Sequence, residues 1–254
     1  MDLESALRER FRIVSLDVDR VTHGSAVERV IQLANNGSGA YVCFGTVHMV
    51  MESFDSPEFA AKVNAADMIV TDGMPLVWMQ KLQKAVEPER VRANDLMMLI
   101  MAEAERKGIR VGFYGGRPEV VERMVGRAGQ EHPDLAVSFA YSPPFRPLTA
   151  DEDKEITDRI NASGTQILFM GLGCPKQENW MAEHRDRLNC VMLGVGASFD
   201  FYAGNVKESP AWLGRLGLEW LYRLVQEPKR LWRRYLILNP RFIWHAARQL
   251  LSQN

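Results

Sequence analysis

The chain has 254 residues, 46% hydrophobic and 25% charged, with 31 basic against 32 acidic side chains. That length supports one large α/β domain or two small ones around a sizeable core, and that composition excludes general disorder. A net charge of -1 excludes the bulk field that recruits nucleic acid.

Charge is nevertheless uneven. Residues 228–254 contain Lys229, Arg230, Arg233, Arg234, Arg241 and Arg248 with no Asp or Glu, which points to a local acidic partner. Cys43, Cys174 and Cys190 lie far apart and form no C-x-x-C pair, so a disulfide framework or zinc site is not expected and a reducing compartment is. The amino-terminal residues carry Glu4, Glu9 and three arginines instead of the apolar stretch of a signal peptide, and no window reaches the roughly 20 apolar residues of a membrane span. The protein is expected to stay inside the cell.

In chain order, short apolar runs alternate with helix-like patterns. The runs over 41–44, 68–71, 111–114, 136–139, 167–170 and 191–194 predict strands buried on both faces. Helices are predicted over 25–35, 57–65, 75–82, 93–107, 118–131, 150–163 and 176–187. Pro57, Pro75, Pro118 and Pro175 stand near helix starts, where the missing N–H costs nothing. The alternation predicts an α/β fold with a doubly wound, mainly parallel, Rossmann-like sheet and ligands at the carboxyl ends of its strands. After Gly204 the pattern changes. One helix is predicted over 210–226, a second over 229–237, and a third over 241–251 past the Asn239-Pro240 break. The chain therefore divides near residue 205 into a body (1–204) and a helical, basic, aromatic-rich appendage (205–254).

Three glycine-rich turns follow predicted strands: FYGGRPE (113–119), GLGCPKQENW (171–180) and GVGASFDFYAG (194–204). Backbone N–H groups at such turns bind phosphate, although a βα connection also uses glycine for structural reasons alone. No P-loop is present, and Gly194-Val195-Gly196 runs on to Phe199 where a dinucleotide fingerprint needs its third glycine. In TDGMPLVW, Asp72 is either the cap of the helix over 75–82 or a ligand-facing carboxylate at a strand end. Asp200 of GASFD likewise orients a ligand hydroxyl or caps a turn, and His48 follows CFGTV at the mouth of the first strand. H-E-x-x-H and G-x-S-x-G are absent, and no D-x-D appears in the ligand-facing turns, LDVD at 16–19 lying in the amino-terminal segment, so hydrolytic nucleophiles and metal-held diphosphates lack support.

Through GLGCPKQENWM, GVGASFDFYAGNVKESPAWLGRLGLEWLYRLVQEPKRLWRRYL and TDGMPLVW, the sequence from about residue 10 to about residue 243 resembles the WecG/TagA/CpsF glycosyltransferases, glycosyltransferase family 26. The resemblance implies inverting transfer of a hexose from a UDP-sugar to a polyprenyl-diphosphate-linked saccharide at the cytoplasmic membrane face. It implies no metal and no other cofactor. Asp72 would be the general base, with Arg90 of RVRANDL and Gln177 of P-K-Q-E in the site. Arg223, Arg230 and Arg233 would reach over it once the appendage docks at the membrane. Thr46, His48, Gly171, Gly173, Lys176, Gly196 and Asp200 complete the expected substrate-binding set.

The chain departs from the family pattern twice. Arg92-Ala93 stands where the family often has a small residue and glycine, and Thr46-Val47-His48 replaces the usual T-x-N. The best-known members use N-acetylmannosamine, so the histidine points to another hexose such as glucose or glucuronate, as in exopolysaccharide units. N-acetylmannosamine transfer and a non-catalytic nucleotide-sugar-binding scaffold are the alternatives.

The residues suit this chemistry. Inverting transfer needs a base facing the acceptor hydroxyl and positive charge on the departing diphosphate. An aspartate with an ordinary pKa of roughly 4 is ionised at neutral pH, and arginine offers a bidentate fork to phosphate oxygens. Trp232, Tyr235, Phe242 and Trp244 interleave with arginines as on an interfacial helix at anionic lipid, whereas Trp212 and Trp220 are expected to pack on the sheet. Nucleic-acid binding is not expected. The appendage's apolar faces leave lipid, the body or a second subunit of a homo-oligomer open as partners.

Overall fold

The computed structural model describes residues 9–252, beginning with an antiparallel hairpin of β1 (Arg10–Ile13) and β2 (Leu16–Asp19). The first part of the body follows as α1 (His23–Asn35), β3 (Ala40–Gly45), α2 (Val47–Asp55), α3 (Pro57–Asn64) and β4 (Met68–Thr71). Next come α4 (Met74–Leu82), α5 (Ala93–Lys107), β5 (Val111–Gly115), α6 (Pro118–Glu131) and β6 (Val137–Tyr141). The body ends with α7 (Ala150–Ala162), β7 (Ile167–Gly171), α8 (Lys176–His184), β8 (Val191–Leu193) and α9 (Ser198–Tyr202). Beyond it lie α10 (Ala211–Arg215), α11 (Glu219–Gln226) and α12 (Pro228–Ser252).

Strands β3 to β8 form one wholly parallel sheet in the order β4-β3-β8-β7-β5-β6. Its strands read as continuous apolar runs because both faces are covered. Val42, Phe44, Val70, Phe113, Phe169 and Leu193 pack with α1, α5 and α6 on one face. Tyr41, Cys43, Ile69, Tyr114, Met170 and Met192 pack with α2, α3 and α8 on the other. Burying each such large side chain contributes roughly 1.5–3 kcal/mol, so this double layer fixes where the strands end. Gly45 is level with Thr71 and Gly115 with Gly171, so the strand ends open onto one rim. The doubly wound Rossmann-like architecture expected from the alternation is therefore present. The hairpin, α2 and α9 lie outside the predicted elements.

The helices after Gly204 differ from expectation. The predicted helix over 210–226 is two, α10 and α11, because Gly217 takes φ 71° between them. A Cβ at Gly217 would meet the Trp78 ring at 2.9 Å, so the chain turns where Trp78 stands. The two helices predicted on either side of Asn239-Pro240 are one, since α12 runs through Pro240 without a break. An internal proline costs about 3 kcal/mol. Packing offsets this: Phe242 and Ala246 are buried in the core, and Arg241 forks onto Asp55 at 2.6 and 2.9 Å. Gln249 adds bonds to the Val14 N–H at 2.8 Å and the Arg12 carbonyl at 2.6 Å.

Two aromatic expectations are corrected with the helices. Trp212 is exposed rather than packed on the sheet, and Phe242 is core rather than interfacial. Trp232 and Trp244 are exposed. No helix among the described residues is long and apolar enough to cross a membrane.

Candidate active site

A cavity of about 580 Å³ opens along the strand ends beneath the glycine turns at Gly116, Gly171, Gly173, Gly194 and Gly196. A smaller chamber of about 120 Å³ adjoins it, walled by His48, Pro75, Trp220, Tyr235 and Asn239. Thr46, Asp72, Glu219, Arg223 and Arg234 line both. Asp72 thus stands where the two spaces meet.

Its placement follows from local folding. The β4 chain end is tied down on both sides: the N–H groups of Asp72 and Gly73 donate to the Gly45 carbonyl at 3.1 Å, and Val91 N–H donates to the Thr71 carbonyl at 2.8 Å. Helix α4 starts at Met74 with Gly73 as its cap and no side-chain cap bond. Asp72 is therefore not the helix cap, and its carboxylate is left to the cleft. Burial pushes that carboxyl up from the usual aspartate range, Arg90 pulls it back, and the Glu219 charge pushes it up again. Arg90 donates from Nε to the Asp72 carbonyl and from Nη2 to Glu219 Oε2 at 2.8 Å.

Gln177 is 4% exposed, and its amide clamps two glycine turns together. Its Oε1 accepts from Gly173 N–H at 3.0 Å, while its Nε2 donates to the Gly194 carbonyl at 2.7 Å and to Glu178 Oε1 at 2.8 Å. A Cβ on Gly194 would fall 2.8 Å from that Nε2, so only glycine admits the clamp. Glu178 is fully buried, and burial raises its carboxyl above the usual range. Gln177→Ala removes three bonds from buried groups and should cost about 2–3 kcal/mol. In a chain of this size that lowers Tm by roughly 5 °C or more, which differential scanning calorimetry reads directly.

Arginines of the appendage complete the cleft. Arg223 lies over the Phe201 ring at 5.4 Å, and its buried Nε has no hydrogen-bond partner. Arg234 has no hydrogen bond or ion pair among the described residues, and burial depresses its guanidinium below the usual arginine range. Arg230 lines the larger cavity and pairs with Glu227. Arg233, the expected third arginine, points away instead: it is exposed and stacks on Trp232 at 5.3 Å. Arg234 takes the place in the cleft expected of Arg233. A sequence signal existed, since Leu231, Leu238, Phe242 and Ala246 mark the buried stripe of α12, and position 234 falls on it.

The other expected residues divide. Thr46 caps α2 with its Oγ1, accepting from Met49 N–H at 3.3 Å, and still faces the cleft. Asp200 lines the cavity with Arg117 at 3.8 Å. Lys176 is exposed and outside the lining. His48 holds Glu52 at 3.3 Å through Nε2, while its buried Nδ1 has no partner. Burial, helped by Arg234, pushes His48 down to about 4, so the ring is neutral at physiological pH. Glu219, Tyr235 and Asn239 enter the site without having been singled out by the motifs. Among the described residues no cluster of His, Cys, Asp and Glu could hold a metal ion.

Taken together, the fold and the cleft define an α/β protein that gathers glycine turns and arginines around a carboxylate at the carboxyl edge of its sheet. The chain belongs to the WecG/TagA/CpsF glycosyl transferase family, whose profile matches residues 11–254. It is 31% identical over 210 residues to the N-acetylglucosaminyldiphosphoundecaprenol N-acetyl-beta-D-mannosaminyltransferase of Bacillus spizizenii, covering 82% of this chain and 79% of that protein. The Bacillus subtilis protein of the same name is 27% identical over 199 residues, covering 78% of this chain and 75% of its own length.

Proposed function

We propose that this glycosyltransferase moves a sugar from a UDP-sugar to a polyprenyl-diphosphate-linked saccharide with inversion, using Asp72 as general base. The observation that carries the reading is the position of Asp72 between the glycine-turn cavity and the appendage-lined chamber. The larger cavity suits the nucleotide sugar, whose diphosphate meets backbone N–H groups and Arg223, Arg230 and Arg234. The smaller chamber suits the acceptor sugar. Asp72 takes the proton of the acceptor hydroxyl as its oxygen bonds to the anomeric carbon. The bond from that carbon to the diphosphate oxygen breaks, and UDP leaves with the electron pair. The arginines neutralise the charge that develops on it, a role for which no metal is required.

Both relatives are named as N-acetylmannosaminyltransferases acting on an undecaprenol-diphosphate-linked N-acetylglucosamine, which supports this acceptor class. Their names favour N-acetylmannosamine as donor sugar. His48, with a free Nδ1 in the chamber wall, favours a different hexose. A seat on the cytoplasmic membrane face is supported by exposed Trp232, Leu236, Ile243 and Trp244 beside Lys229 and Arg233.

The test is a panel of UDP-sugars assayed with polyprenyl-diphosphate N-acetylglucosamine in anionic vesicles, with and without EDTA. One UDP-sugar should be consumed with UDP release and glycolipid formation, undiminished by the chelator. Failure of every UDP-sugar would sink the donor reading, and loss of activity in EDTA would sink the metal-free one.

A further inference from the structure

Two arginines of the body approach Asp72, and both are shared with carboxylates from beyond α9. Arg90 Nη2 is 2.8 Å from Glu219 Oε2 but 4.0 Å from Asp72 Oδ1. Arg92 Nε faces the same Glu219 oxygen at 3.8 Å, and its Nη2 pairs with Glu208 at 2.8 Å. Glu208 also accepts from Asn94 Nδ2 at 2.6 Å. A contact of 2.8 Å is a charge-assisted hydrogen bond, whereas 4.0 Å is the outer edge of an ion pair. The nitrogen that serves Glu219 is the one that would otherwise close on Asp72.

We propose that Glu219 is a positioning residue for the base: by holding Arg90 Nη2 it keeps the guanidinium off the Asp72 carboxylate. The base is then free for an acceptor hydroxyl only while α11 is seated against the body. The proposal rests on the reading of Asp72 as the base, and it gives the appendage a task beyond supplying cations. With α11 displaced, Arg90 and Arg92 lose their shared anion, and Arg90 turns to Asp72 as its nearest carboxylate. A paired Asp72 is a weaker base, so transfer stays off until the appendage docks.

The effect is visible in the pH profile. Asp72 faces Arg90 from the chain before α5, Arg92 at the α5 cap, and Glu219 and Arg223 from α11. His48 of α2 and Arg234 of α12 line the same chamber, and Asp200 and Glu227 lie across the larger cavity. Glu219 is pushed up by burial, but Arg90 and Arg92 outweigh this and hold it below the usual glutamate range. Neutralising Glu219 leaves Arg90 without its close anion, while Arg92 keeps Glu208, and an arginine beside an aspartate lowers its titration by roughly one to three pH units.

The test uses full-length Glu219→Gln and Glu219→Asp, with kcat measured against pH on vesicle-borne acceptor and UDP affinity measured by calorimetry. Glu219→Gln should bind UDP within about threefold of wild type, lose roughly tenfold in kcat and move the acid limb down by about one pH unit. Glu219→Asp, which keeps the charge but retracts it, should move the limb part of the way, and it alone decides if the glutamine variant does not fold. A fall in kcat with an unmoved limb would mean that Glu219 only docks α11, and the proposal fails. It also fails if His48→Asn moves the limb while the Glu219 variants do not. Wild-type turnover in Asp72→Asn would instead overturn the base reading itself, a result separable from failure at Glu219 alone.

Discussion

Asp72→Ala abolishes sugar transfer while leaving the fold and UDP binding close to wild type. Removing a positioned base loses about 10²–10⁴ in rate, and the other carboxylates of the cleft are held beside arginines or, in the case of Glu178, fully buried. Glu219 is held by Arg90, Glu227 by Arg230, and Asp200 lies beside Arg117 at the far turn. Folding should not suffer. Burial pushes the Asp72 carboxyl above the usual range. A raised carboxyl contributes stability below its unfolded pKa and loses that contribution as pH rises through the folded value. The charged form is therefore the one that burial disfavours in the fold, and the alanine variant should melt no lower than wild type. The Arg90 guanidinium keeps Glu219 as its partner in the variant, so no cation is orphaned. Turnover assayed with radiolabelled donor, beside thermal melts and UDP titration, checks all three parts. Unchanged turnover would remove Asp72 from the chemistry, and a collapsed melt would make it structural.

How much of this was legible in the sequence depended on which forces left a local trace. The six parallel strands are visible because burial on both faces writes an uninterrupted apolar run, and the carboxyl ends follow from the glycines that close them. Asp72 is legible as a candidate for the same reason, but its sequence fits a helix cap equally well. Only the non-local bonds from Gly45 and Val91 decide that the α4 cap is Gly73. The hairpin hides because β1 and β2 are four residues each, with charged Arg10, Arg12, Asp17 and Asp19 matching the apolar residues one for one. Pro240 misleads because proline is a local breaker, whereas the bonds that carry α12 through it come from Asp55, Val14 and Arg12. Glu219 hides for a related reason. In GLEWLYRL it reads as an ordinary first-turn glutamate, and its arginine partner is 129 residues away in sequence. Arg233 and Arg234 differ by one position, and only the stripe set by Leu231 and Phe242 tells which one faces the cleft.

That difference of one position supports the sharpest separation of function from structure. Arg234 is held in protein with no hydrogen bond or ion pair among the described residues, and burial disfavours its charge. In the ligand-free protein such a group is a cost, because desolvation of a cation is not repaid without an anion paired to it. A diphosphate in the adjoining cavity would supply that anion. Arg234→Met keeps the length and apolar stem of the side chain while removing the charge. It should raise the Tm of the ligand-free protein by roughly 2–4 °C, corresponding to about 1 kcal/mol, while transfer falls by about 10²–10³ and UDP binding weakens. Arg233→Met, on the outward face beside Trp232, should leave both turnover in detergent and Tm near wild type. A structural arginine would behave in the opposite way, with the melt falling and activity following it only through lost fold. If Arg234→Met lowers Tm and spares kcat, the cation serves the α12 seat rather than the departing diphosphate, and charge stabilisation in the cleft falls to Arg223 and Arg230.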